Sequence, residues 1–305
     1  MLKLLPILLA LHHSVTISKA AITGPYKMAS TTLQNVATLD SSDQRVNLHY
    51  PITTNNTSIN DNHSFPLIAY AHGLDNAATD YTKLFESLVS FGFIVAAHWS
   101  CLEGCSDDTT SLPYDPPGFG HYYQQQLLVV DWMRNSTSLP CSINFTVGVA
   151  IAGHSMGGQS TLFSSSLNNA SQHGIVVAAM HHAFTHEYPA PSIPFLAFTG
   201  SEDVIAWSTM TEKFYNAAAE GHNQTRGYIN KADADHFEPE DPFFPFYYSY
   251  NPMVGPYTAA FFKLIMEKKK IEYGINYEEM IYGNSTTISI CHGGDGKMTK
   301  CEMHV

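Results

Sequence analysis

The chemistry-bearing spacing in this chain is Gly153-His154-Ser155-Met156-Gly157, a Gly-x-Ser-x-Gly pentapeptide in the stretch "IAGHSMGG". A serine hydroxyl attacks a carbonyl only if a base takes its proton and a third group orients that base. Glycine and serine are also common in plain turns, so the flanks decide. The Val-, Ala- and Ile-rich run 145–153 reads as a strand feeding the pentapeptide, and a small-residue helix from Met156 to about Asn169 leaves it. That is the setting of a nucleophile elbow, in which the serine sits on a sharp strand-to-helix turn with its oxygen held clear of the backbone. Gly153 and Gly157 are then small because neighbouring chain passes close by, and Gly158 and Ser160 keep the first helical turn slim.

The partners of such a serine follow it in the order acid, then histidine, each just past a later strand. "PFLAFTGSEDVIA" puts Glu202 and Asp203 beyond one strand, and "RGYINKADADHFEP" puts His236 beyond the next. Asp203 is the expected acid, because the loop turns there and Glu202 would face solvent. Asp233, Asp235 and Glu238 crowd His236 in sequence, which predicts a raised pKa and a rate that climbs into alkaline pH. An oxyanion needs two backbone N–H donors. Met156, at the helix N-terminus, supplies one, and Leu74, after the His72-Gly73 turn in "AYAHGLDNA", the other.

From Phe65 onward, strand-like runs alternate with helical patterns, predicting a mostly parallel sheet covered on both faces. Strands are expected at 66–72, 93–99, 145–153, 174–182, 194–200 and 226–230, and helices at 80–92, 121–135, about 207–220 and 257–270. Upstream, "YKMASTTLQNV" and "VNLHYPI" alternate as antiparallel strands would. Only "AFTHEYPAPSI" joins two of the central strands, too short for a helical cap, so the cleft is expected to be open. The aromatic stretch 241–252, "DPFFPFYYSYNP", follows His236 and could wall that cleft or simply pack beneath a loop.

The first 20 residues read as a signal peptide, with Lys3, an apolar run from Leu4 to Leu11 and a small-x-small site ending at Ala20. Residues 21–305 then form one catalytic domain that is secreted or lumenal. Asn55, Asn56, Asn62, Asn135, Asn144, Asn169, Asn223 and Asn284 each open an Asn-x-Ser/Thr triplet, a density that fits a glycoprotein. The formal charge of −12 becomes −14 once Lys3 and Lys19 leave with the leader. So acidic a surface repels phosphate backbones and anionic lipid, which argues against a nucleic-acid partner. No later run is long enough to span a bilayer, and a monomer is expected.

Five cysteines leave one thiol over. Cys291 and Cys301 could staple the tail, while Cys101 or Cys105 could pair locally or with Cys141. His181, His182 and His186 cluster, and Cys291, His292, Cys301 and His304 could mimic a zinc site. The second group lacks finger spacing and an oxidising compartment favours a disulfide, so no metal is expected. No phosphate loop or dinucleotide fingerprint is present, so no cofactor is expected either.

Taken in order, "GPY" at 24–26, "HYP" at 49–51, "SFGFIVAAHW", "GHSMGG", "GSEDVIA", "DHFEP" and the tail cysteines resemble the cutinase and polyester-hydrolase branch of the α/β-hydrolases. That branch is related to dienelactone hydrolases, chlorophyllases and platelet-activating-factor acetylhydrolases. The resemblance implies an α/β-hydrolase fold with no cap domain and carboxylic-ester hydrolysis through an acyl-enzyme. It also implies Ser155, Asp203 and His236 as triad, Leu74 and Met156 as oxyanion donors, and a Cys291–Cys301 disulfide. The aromatic that contacts substrate in this branch falls on Phe184. Polyester-active relatives often carry an aromatic where this chain has Leu74, and the "CLEGC" loop and the 241–252 stretch differ from compact bacterial members. The substrate is accordingly an ester, whether a small molecule, a lipid or a polymer surface. The rival readings are a lipase, thioesterase, chlorophyllase or phospholipid acetylhydrolase on the same fold, or a silent binding glycoprotein.

Overall fold

The computed structural model describes residues 22–39, 43–52, 63–105, 119–221, 224–242, 250–292 and 298–305. The leader, most of the 241–252 stretch, and Asn55, Asn56, Asn62 and Asn223 lie outside the described residues.

Runs of Val, Ile, Ala and Phe build the sheet. The strands are β1 (Lys27–Leu33), β2 (Val46–Ile52), β3 (Leu67–Ala71), β4 (Ile94–His98), β5 (Val149–His154), β6 (Ile175–His181), β7 (Phe195–Gly200), β8 (Arg226–Lys231) and β9 (Met298–His304). Among the described residues they form one nine-stranded sheet, ordered β1-β2-β4-β3-β5-β6-β7-β8-β9. The six strands from β4 to β8 in that order run parallel. β1, β2 and β9 are the antiparallel flanks. β1 and β2 pair as the alternation of their residues predicts.

Every residue of β3, β4, β5 and β7 is buried, as expected of strands covered on both faces. Successive side chains go to opposite sides. Ile68 and Tyr70 pack with α1 (Thr82–Ser90), α6 (Val254–Phe262) and α7 (Tyr277–Tyr282). Leu67 and Ala69 pack with α2 (Tyr122–Asn135), α3 (Met156–Ser164) and α5 (Ser208–Gly221). This is the α/β-hydrolase fold: a large, mostly parallel sheet with helices on both faces. The 182–194 connection carries no helix, so nothing there caps the carboxyl ends of the strands.

The differences from the sequence expectation have local causes. The strand read from residue 145 begins at Val149, because Asn144 caps a short tight helical turn over Phe145–Val147. The helix after Ser155 breaks at Ser165-Ser166 and resumes as α4 (Leu167–His173). α6 starts earlier than the apolar run suggested, at Val254, since Pro256 is tolerated in a first helical turn.

Buried Gln126 ties the centre together. Its amide donates to the Ala69 and Ala152 carbonyls and to Thr161 Oγ1, each at 3.1 Å, and its carbonyl accepts from Ser160 Oγ at 3.2 Å. One side chain of α2 thereby fixes β3, β5 and α3 around the pentapeptide. The close approach is tightest at Gly157, where a Cβ would lie 2.0 Å from the Ala71 carbonyl oxygen and 2.6 Å from that of His72. Those atoms are backbone and have no rotamer by which to retreat. Gly157→Ala is expected to cost about 3 kcal/mol or more and, by shifting the serine, about 10²-fold in any ester turnover. Denaturant titration and initial rates check this. By contrast Gly274→Ala, where φ is +78° but nothing lies within 4 Å, should cost only about 1 kcal/mol.

Candidate active site

Ser155 stands at the turn from β5 into α3 with φ 55° and ψ −117°, a region that a non-glycine residue occupies only when its surroundings hold it there. Three backbone bonds do so. The Ser155 N–H donates to the His181 carbonyl, and the Ser155 carbonyl accepts from Gln159 and Phe184, all at 3.1 Å. Gly153 is needed because a Cβ there would lie 2.2 Å from the Gly157 carbonyl oxygen, and Gly158 because one would meet Ala183 Cα at 2.7 Å. The serine is nearly buried, at 8% exposure.

His236 reaches it from the loop after β8, with Nε2 2.9 Å from Ser155 Oγ. On the other side of the ring, Nδ1 lies 3.0 and 3.1 Å from the two carboxylate oxygens of Asp203, in the loop after β7. A carboxylate only accepts, so Nδ1 carries the proton and Nε2 offers its lone pair to the serine hydroxyl. Asp203 Oδ1 also accepts from the N–H groups of Ile205 (3.0 Å) and Ala206 (2.7 Å). Burial alone would raise the Asp203 pKa, but hydrogen bonds from His182 and His236 hold it well below the usual carboxylate range. Glu202 points to solvent, as its position suggested.

The expectation of a raised His236 pKa is corrected. Burial pushes this imidazole below the ordinary 6.5, and the opposing pull of Asp203 does not restore it. Of the acids adjacent in sequence, Asp235 pulls the ring the same way as Asp203 without reversing the effect of burial, and Glu238 is turned elsewhere. Glu238 bonds His182, Lys231 and Asn251, and Asp235 accepts from its own turn at Phe237. A base with a lowered pKa is unprotonated further into the acid range, so a climb into alkaline pH is not the consequence.

Three polar residues escaped the sequence reading. Gly73 N–H donates to Tyr81 Oη at 2.9 Å, and the Tyr81 hydroxyl lies 3.0 Å from His154 Nδ1. His154 Nε2 is 2.8 Å from the His236 carbonyl, which can only accept. Nε2 therefore carries the proton, and Tyr81 donates to Nδ1. Burial keeps the His154 pKa well below 6.5, consistent with that neutral tautomer. The chain of bonds runs from the His72-Gly73 turn, through the pentapeptide, to the backbone of His236. Glu240 Oε1 sits 3.3 Å from His154 Nδ1, but a neutral ring makes this no ion pair.

Leu74 follows the Gly73 turn, 39% exposed, and Met156 opens α3 with its N–H in the first helical turn, where no intrahelical partner exists. Both border Ser155. The cleft above the serine has a volume of about 200 Å³ and is walled by Leu74, Phe119, Phe184, Ile205 and Phe237, with Asn76 and Glu240 at its polar end. Phe184 packs edge-on against Phe119 in this wall. Burial pushes Glu240 up to about 7, with Asp80 and Asp235 adding to it and the Asn76 hydrogen bond opposing. The cleft therefore gains a negative charge as pH rises through neutrality. A succinate half-ester should lose about fivefold in kcat/KM relative to a neutral ester between pH 6 and 8.5, and Glu240→Gln should abolish that loss. Parallel pH profiles on the two substrates measure it.

The cysteine alternatives resolve into Cys101–Cys105 and Cys291–Cys301, with Cys141 free and half-buried. The first bridge closes the loop whose Leu102 carbonyl accepts from Asp75 N–H at 2.7 Å, next to Leu74. The second ties β9 to the chain before it. Cys291 and Cys301 are thereby unavailable to a zinc ion. His181 and His182 diverge, His181 toward Thr258 and His182 toward Asp203. His182, Asp203 and His236 bring ligand-type atoms within 4.8 Å, but the protons on Nδ1 of both rings already link them. Asn135 and Asn284 are exposed, and Asn144 and Asn169 partly so. Among the described residues no helix is long and apolar enough to cross a membrane.

A search of curated proteins finds no match. The family model described as PETase, PET hydrolase-like, matches residues 14–270, which include the pentapeptide, Asp203, His236 and the walls of the cleft. With a fold and a site of that kind, the chain belongs to the PET hydrolase-like family of α/β-hydrolases, the cutinase and polyester-hydrolase-like enzymes.

Proposed function

We propose that this protein is a secreted serine carboxylic-ester hydrolase with Ser155 as nucleophile, His236 as general base and Asp203 as the orienting acid. The observation that carries the reading is the unbroken bond chain from Ser155 Oγ to His236 to Asp203, on a strained elbow at the floor of an apolar cleft. His236 takes the serine proton as Oγ attacks the ester carbonyl. The N–H groups of Leu74 and Met156 hold the oxyanion. His236 returns the proton to the leaving alcohol, and water, deprotonated by His236 in turn, resolves the acyl-enzyme.

The cleft favours short acyl groups, because about 200 Å³ is below the usual range for drug-sized ligands. Its rim carries exposed Leu74 and Ile205, with Val204 and Trp207 exposed beside Ile205 in the chain, which suits an ester whose remainder stays outside. That supports a cutinase-like carboxylesterase over a lipase. Two disulfides and the sequon density support the secreted, glycosylated state, with the leader removed after Ala20 and residues 21–305 acting as a single domain and a monomer. The test is a p-nitrophenyl ester series from two to sixteen acyl carbons. An optimum at two to four carbons is expected; a long-chain optimum would favour the lipase, and no turnover at any length the binding glycoprotein.

A further inference from the structure

His182 is a second buried histidine on Asp203, with no role in the proton relay described above. Its backbone adopts φ +49° just after β6, a left-handed conformation uncommon outside glycine. The ring is fully buried and each nitrogen faces a carboxylate oxygen: Nδ1 is 2.8 Å from Asp203 Oδ2, and Nε2 is 3.3 Å from Glu238 Oε2. Carboxylates have no proton to give, so both nitrogens carry one and the ring is an imidazolium. Glu238 is in turn held by Lys231 Nζ and Asn251 Nδ2, each 2.8 Å from Oε1. Two cations and two anions balance in this cluster, as buried charges require.

Asp203 Oδ2 is thus shared by two rings, His182 on one side and His236 on the other. We infer that His182 is a positioning residue: as a buried cation clamped between Asp203 and Glu238, it fixes the Asp203 carboxylate on His236 and moves the working pH range of the triad toward acid. The inference rests on the Ser155-His236-Asp203 reading given above. The groups facing His182 are Asp203, Glu238, the His236 ring at 6.0 Å and the His154 ring at 6.3 Å, with Lys231 behind Glu238, Glu240 beyond His154 and His181 beside it in the chain. Burial depresses the His182 pKa, but Asp203 and Glu238 outweigh it and raise it to about 9. His154 and His181 are neutral at that pH, both depressed first by burial. A fixed positive charge 6.0 Å from His236 disfavours a second one there, and His182 contributes to the lowering of the His236 pKa.

The experiment pairs His182→Gln with wild type, reading kcat/KM for a neutral short-chain ester from pH 4 to 9 alongside histidine-selective ¹⁵N spectra. The variant's acid limb and its His236 titration should both move up by about one pH unit. kcat should fall by about tenfold or more with KM within about twofold, because His182 touches no substrate. A merely structural histidine would lower thermal stability and leave the limb in place, which overturns the inference. If the variant does not fold, the wild-type spectra decide: a doubly protonated His182 at pH 7 supports the inference and a neutral one overturns it. If instead Ser155 proves dispensable for turnover, the triad reading fails, and the His236 titration still reports the His182 effect separately.

Discussion

Ser155→Ala is expected to lower kcat by about 10⁶-fold while leaving the fold and ester binding in place. The loss is large because the other groups act only through Oγ. His236 Nε2 has the hydroxyl 2.9 Å away as its proton source, and without it the base has nothing to activate but water. What remains is the oxyanion site and the cleft, worth about 10³–10⁴ over water in enzymes of this type. The positive φ of residue 155 persists in the variant, held by the bonds to His181, Gln159 and Phe184, so alanine keeps about the same backbone strain. Initial rates on a short-chain p-nitrophenyl ester, with a matched thermal melt, check both halves. A variant within about tenfold of wild type would mean that the hydroxyl is not the nucleophile.

Asp203→Asn should lower kcat by about 10⁴-fold and stability by about 3 kcal/mol. The carboxylate accepts from four directions: His182, His236, and the N–H groups of Ile205 and Ala206. An amide offers one acceptor oxygen and an NH₂ that opposes at least one of those donors whichever way it is turned. If the NH₂ faces the rings, the Nδ1–H tautomer of His236 loses its support and Nε2 is no longer a lone pair for the serine. If it faces the turn, the Ile205 and Ala206 donors are orphaned and the loop after β7 shifts. Either way the His182 cation loses part of its counter-charge. The pH dependence of stability follows from the lowered Asp203 pKa. Its contribution is present above the ordinary carboxylate value near 3.8 and is lost as pH falls through the depressed folded value. Wild type and variant should therefore begin to converge in stability only below that ordinary value, which urea melts stepped from pH 7 down to pH 2 test, with kcat/KM at pH 7 reading the loss of activity.

The elbow was legible because its determinants are local. A β-branched strand, small residues at 153, 157 and 158, and a helix directly after can be read in one window, and Asp203 and His236 follow from strand order. The supporting polar residues were not legible, since their partners are remote in sequence. Tyr81 meets His154 73 residues away, and His182 meets Glu238 56 away. The one signal was the His181-His182 pair at a strand end, where the period of two sends the rings to opposite sides. The proximity of Asp233, Asp235 and Glu238 to His236 in sequence misled, because burial of the ring outweighs nearby acids and the loop turns Glu238 to His182, Lys231 and Asn251. The sequence marks β9 by Cys301 and His304 rather than as a strand, since pairing at a sheet edge leaves little local trace.

The most direct test of the central claim is to mix the protein with p-nitrophenyl acetate, quench within the first turnover, and map the acetylated peptide by mass spectrometry. A burst approaching one equivalent of p-nitrophenol and one acetyl group on the peptide containing Ser155 are expected, both absent from Ser155→Ala. Turnover with no acyl group on that peptide, or the same burst in the variant, would contradict the claim.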